Sequence, residues 1–203
     1  GTLVGAAEAR RLVLAEVLNP SNPMTGELAL YGLLASQTHD AVQEALTEVF
    51  TNSGKSLAMR STAAFVIREG LSQIKPERRA KVRAQARLFL ASGAVGGPAS
   101  VPPELRRESI ALLGGHLDVP AGDLALMKSV LEESRDREEL QIALAMLLRH
   151  SGGSVPVMVA ELEARQGKAA DPELRKMLGQ LVRSARSAIA GAKAPPSRGS
   201  ERP

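Results

Sequence analysis

Four stretches of this chain repeat nearly one string: Met59-Arg60-Ser61-Thr62-Ala63, Leu105-Arg106-Arg107-Glu108-Ser109, Leu140-Gln141-Ile142-Ala143-Leu144 and Leu174-Arg175-Lys176-Met177-Leu178. Each opens a helix-like run that follows another helix-like run. A single helical pair of this kind cannot bury its own apolar face, so neighbouring pairs must stack on one another to build a shared core. The string therefore predicts an elongated, curved array of helical pairs.

Apolar periodicity near 3.6, punctuated by Pro and Gly, divides the chain into ten helical stretches: 5–18, 24–36, 40–51, 56–73, 77–92, 103–116, 122–134, 136–150, 154–166 and 172–190. In order they form five antiparallel hairpins. Their internal turns are short except the third, which holds Gly93, Gly96, Gly97, Pro98, Pro102 and Pro103. Aligning the second helices on the residue after the opening apolar position places Ala29, Arg60, Arg106, Gln141 and Arg175 in register, at intervals of 31, 46, 35 and 34. Three residues further on lie Gly32, Ala63, Ser109, Leu144 and Leu178. Small residues there allow helices to approach closely, and the last two repeats break that rule. Aromatic residues are 2% of the chain and no stretch alternates as a strand does, so the expected class is all-α.

The helical pairs, the period in the thirties and the apolar-Arg openings Leu105-Arg106 and Leu174-Arg175 resemble HEAT-type and HEAT-like repeats over nearly the whole chain to about residue 190. Armadillo-like and other helical-pair repeats share these features. The resemblance implies an α-solenoid of about five pairs with an extended surface for a protein partner, sometimes for nucleic acid, and rarely for catalysis. The expected organisation is one helical-repeat domain over 1–190, followed by a basic Pro/Ser/Gly tail over 191–203 that lacks apolar periodicity and is expected to be disordered.

Charge is unevenly spread under the net +4. Residues 75–87 carry Lys75, Arg78, Arg79, Lys81, Arg83 and Arg87 against Glu77, a local +5, and from Ala164 onward the balance is +6, leaving −7 on the rest. Arg79, Arg83 and Arg87 fall four apart along one helix flank and are the candidate partner-binding residues, their counterpart an acidic protein surface. The competing expectation is that their stems lie along packed neighbours with the heads in water. Nucleic acid bound through 75–87 and the C-terminal cations is the alternative, since Lys and Arg near phosphates supply most non-specific affinity. No aromatic interleaves the arginines to stack on bases.

No constellation of residues carries recognisable catalytic, metal or cofactor chemistry. Ser53-Gly54-Lys55-Ser56 ends like a phosphate-binding loop, but Val49 stands where that loop needs Gly, so the segment reads as a turn with Ser53 or Ser56 capping the next helix. His39, His116 and His150 sit near three different helix ends; His116 and His150 read as last-turn cations on the helix dipole, and His116 with Asp118 is the one close pair. Glu132, Glu133, Asp136, Glu138 and Glu139 crowd the fourth hairpin turn and read as solvated carboxylates with a favourable place at a helix N-terminus, ahead of a general acid-base pair. Met146 and Met158 read as core. The expectation is thus a non-enzymatic scaffold or adaptor with no cofactor, and a HEAT-like enzyme is the remote alternative. No run of the sequence reaches the length of a membrane span. A cytoplasmic location is slightly favoured, with export open because the chain starts at Gly1, and the absence of cysteine leaves the compartment undecided.

Overall fold

A computed structural model of the chain describes residues 2–91, 101–115, 119–150 and 155–193. Among the described residues ten α-helices follow in order: α1 (Thr2–Leu18), α2 (Pro23–Gly32), α3 (Asp40–Thr51), α4 (Leu57–Glu69), α5 (Pro76–Ala91), α6 (Pro103–Gly114), α7 (Ala121–Glu133), α8 (Arg137–His150), α9 (Val155–Lys168) and α10 (Pro172–Lys193). Among the described residues there is no strand. Most of the Gly and Pro turn of the third hairpin, His116 with Asp118, and the tail from 194 lie outside the described residues. Helix α10 runs to Lys193, past residue 190 where the sequence reading ends the helical domain.

The helices pack as five consecutive pairs, α1 with α2 through α9 with α10. Between pairs, even-numbered helices lie against even-numbered neighbours and odd against odd, and α6 also touches α7. The even seams α2–α4, α4–α6 and α6–α8 are extensive, whereas α8 and α10 meet over a much shorter stretch. One continuous core runs through the assembly, from Val17 and Leu30 through Phe50, Ile67, Leu105 and Leu113 to Leu140, Leu162 and Leu181. Each of these fully covered side chains stabilises the fold by roughly 1.5–3 kcal/mol.

Helix ends show how the sequence sets these contacts. An α-helix leaves its last carbonyls without partners and its C-terminus partially negative, and here side chains from elsewhere supply donors. Lys55 Nζ donates to the Leu18 carbonyl closing α1. Arg60 Nε donates to the Phe50 carbonyl of α3 at 3.1 Å while its guanidinium lies 4.6 Å over the Phe89 ring. His150 Nε2 donates to the Gly114 carbonyl of α6 at 2.9 Å. Arg165 donates to the carbonyls of Leu131 and Ser134 at the end of α7. Arg175 donates twice to the Ala169 carbonyl beyond α9, at 3.1 and 2.6 Å. Arg60 and Arg175, two of the aligned arginines, thus tie the second helix of a hairpin to the end of the first.

Two stretches end earlier than their periodicity implies. The expected helices 24–36 and 56–73 stop at Gly32 and Glu69 and finish in single 3₁₀ turns, Leu34–Ser36 and Leu71–Gln73. For the second, buried Gln37 Nε2 donates to the Val66 carbonyl at 2.7 Å, and the Gly70 amide turns instead to the Ile67 carbonyl at 3.2 Å, which tightens the turn. A Cβ on Gly70 would lie 1.1 Å from Gln37 Oε1, so only glycine admits this contact.

The first repeat is also out of the expected register. Leu28, the residue aligned with Met59, is 63% exposed, and the buried residues of α2 are Gly26 and Leu30, followed by Leu33. These correspond to Met59, Ala63 and Val66, an offset of 33 in place of 31. Two residues rotate a helix by about 200°, which turns Leu28 outward.

Candidate interaction surface

Helix α5 brings Arg79, Arg83 and Arg87 to one flank as its four-residue spacing requires. The structure sets that flank against α7. Asp123, in the first turn of α7, is fully buried, and Arg87 Nε donates to its Oδ1 at 2.6 Å while Arg83 Nε sits 3.1 Å from its Oδ2. Arg79 is half-buried and has no ion pair among the described residues. Any partner taking Arg83 and Arg87 must compete with Asp123. The other cations of this segment turn elsewhere: Lys75 and Arg78 both reach Asp40 on α3, and Arg78, then Lys75, hold that carboxyl well below the usual range.

The carboxylates of the fourth hairpin turn are largely committed. Asp136 accepts from the amides of Glu138 and Glu139 at 2.9 Å each and from Arg107 at 2.7 Å, and Arg107 also pairs with Glu138 at 2.6 Å. Glu139 is 4% exposed and therefore not solvated as the sequence reading has it; it accepts from Arg106 at 2.8 Å and from Ser134 Oγ at 2.9 Å. Burial pushes the Asp136 carboxyl up, and Arg107 with the two amides outweighs it, leaving the group below its ordinary value. Neither Glu139 nor Asp136 is left as a waiting acid or base. Ser56 Oγ accepts from the Met59 amide at 3.2 Å and caps α4, and Lys55 is held at the end of α1, so the Gly54-Lys55-Ser56 segment is a helix-capping turn. His150 binds the end of α6 and not its own helix, while His39 is exposed at the N-terminus of α3. Among the described residues no three His, Asp or Glu side chains converge as a metal site would require.

Two features of the even-numbered helices are not consumed by the fold. The first is an apolar ledge at α2 and α4, where Met24, Leu28 and Tyr31 are 71%, 63% and 47% exposed. Tyr31 meets Phe65 of α4 at 5.8 Å between ring centroids, Arg68 lies 5.1 Å over Phe65, and Arg68 Nε reaches Glu108 of α6 at 3.1 Å. Burial pushes the Glu108 carboxyl up against the opposing pull of Arg68.

The second is an open cleft of about 520 Å³ between α8 and α10. Leu144, Leu148, Met177 and Leu181 provide apolar walls, and Arg137 and Arg183 line it. Its origin is legible in register. Gln141, Ala145 and Leu148 of α8 correspond to Arg60, Ala64 and Ile67 of α4, which are buried. In α8 the same positions are exposed or half-buried because α10 stands off. The α4–α6 seam carries small residues on both sides, Ala63 and Ser109, where the loose one carries Leu144 and Leu178, and larger side chains on both helices hold their axes apart. Sequence reasoning singled out that break in the small-residue rule without drawing the cleft from it.

No protein-family model, no curated protein and no solved structure matches this chain. No helix among the described residues is long and apolar enough to cross a membrane.

Proposed function

We propose that the chain is a HEAT-like helical-repeat module, a short α-solenoid that binds a protein partner on its even-numbered helices. The single observation that carries the reading is that the repeat is closed where its polar groups are needed internally and open at the α8–α10 seam, where a core register faces solvent. The pairing of successive helices, with even against even and odd against odd, supports the stacked arrangement. The exposed ledge of Met24, Leu28 and Tyr31 adds apolar area of the kind that marks contact surfaces. The nucleic-acid alternative is weakened because Arg83 and Arg87 are engaged by Asp123.

Two measurements test this. Small-angle scattering should give an elongated profile, and a compact one contradicts the solenoid. Cross-linking of the native protein in its own cells should recover a protein partner in stoichiometric amount, joined through residues of the even helices. Recovery of nucleic acid alone, with affinity falling steeply as salt rises, would replace the reading with the alternative.

A further inference from the structure

We infer that the α8–α10 cleft is a binding site for an acidic, apolar peptide segment of the partner. The inference rests on the module reading above and adds to it a place and a chemistry. The volume, about 520 Å³, falls in the range of ligand sites and can take two or three side chains of a segment lying along the seam. Of the apolar walls, Leu148 and Met177 are half-buried and so available to apolar anchors from outside, while Leu144 and Leu181 are buried.

Charge decides what accompanies those anchors. Arg137 and Arg183 both line the cleft and no carboxylate does. Neither arginine takes part in an ion pair or a side-chain hydrogen bond among the described residues. The acids that flank Arg137 in sequence and Glu163 of α9 face other partners: Asp136 and Glu138 pair with Arg107, and Glu163 pairs with Arg186. Two uncommitted guanidiniums over an apolar floor, with the amides of Gln141 and Gln180 beside them, complement carboxylates that alternate with apolar side chains. The segment's carboxylates meet Arg137 and Arg183 while its apolar side chains cover Leu148 and Met177.

The test uses the full chain and a fluorescein-labelled octapeptide of alternating Asp and Leu, read by fluorescence anisotropy, with the matching Lys and Leu octapeptide as control. The acidic peptide should bind saturably and the basic one should not. R137E/R183E should weaken the acidic peptide at least about tenfold, because it replaces attraction by repulsion at both positions. A145F, which fills the cleft without altering charge, should weaken it as well, and R79E on α5 should leave it unchanged. Circular dichroism checks that each variant folds, and A145F stands in if the double reversal does not. Equal binding of the two peptides, or acidic-peptide binding unchanged in A145F and in a folded R137E/R183E, overturns the inference. So does displacement of the peptide by decanoate at equal molar concentration, which would assign the cleft to small fatty acids. If a cross-linked native partner is not competed by the acidic peptide, the cleft assignment falls and the module reading stands. If no native partner is recovered although the peptide binds as described, the module reading falls and the cleft chemistry stands.

Discussion

Arg87 on α5 donates through Nε to Oδ1 of Asp123 on α7 at 2.6 Å, and that carboxylate has no exposed surface. Arg83 approaches the second oxygen at 3.1 Å. Helices α5 and α7 touch over a short stretch only, and this ion cluster ties them together. A buried acid is tolerable only while its counter-charges stay in place.

Replacing Asp123 with Ala should therefore destabilise the chain. Arg87 is 43% exposed and can turn to water, so the loss is expected below that of a sealed pair, at about 1–3 kcal/mol. Urea unfolding of D123A reads it directly. R79E, at a position outside the cluster, should stay within about 0.5 kcal/mol of the native chain. Equal midpoints for D123A and R79E would show that the cluster holds nothing.

The helical pairs and most of their register were readable because each aligned residue has a physical task that constrains its type. Arg60 and Arg175 must be long donors to reach the ends of α3 and α9, and Met59, Leu105 and Leu140 must be apolar to sit in the core. Asp123 was not readable. An acid in the first turn of a helix is ordinary for its favourable place at the dipole, and nothing in the chain marks that this one faces α5. Glu139 hid in the same way among the exposed carboxylates around it. The first repeat slipped because α2 spans only ten residues, with glycine at 26 and 32, so that two registers fit its apolar positions.

Acid stability should depend on Asp136. Its folded carboxyl titrates below the unfolded value, so the stabilisation is complete above the ordinary Asp value of about 4 and is lost as pH falls through the folded value. Glu108 acts in the opposite sense: burial favours its neutral form, and its penalty on folding appears as pH rises through the ordinary carboxyl range. Thermal melts across pH should show D136N with a flatter acid limb than the native chain. E108Q should compare more favourably with the native chain at pH 7 than at pH 4. Parallel curves for D136N and the native chain would mean that Asp136 titrates alike folded and unfolded.

The α6–α8 seam should be intolerant of a single methyl group. A Cβ on Gly114 would lie 2.3 Å from Met146 Cγ and 2.7 Å from its Cβ, near the root of the side chain where rotation offers little relief. Helices must shift to admit it, at a cost of about 1–3 kcal/mol as in other overpacked cores. G114A alone should lower the unfolding midpoint, and G114A/M146A should recover part of it by removing the clashing atoms. Failure of the second change to recover anything would place the strain elsewhere.

The register of α2 can be tested by two leucines two residues apart. Leu30 has no exposed surface and belongs to the core, so L30A should cost about 2–5 kcal/mol as lost burial and a residual cavity combine. Leu28 projects from the opposite face, and L28A should change stability by no more than about 0.5 kcal/mol. An offset of 31 between the first and second repeats requires the reverse, with Leu28 beside the position of Met59 in the core. Chemical denaturation of the two variants separates the offsets. Because Leu28 belongs to the ledge with Met24 and Tyr31, L28A should also weaken capture of a partner that uses the first repeat while leaving the melting curve in place.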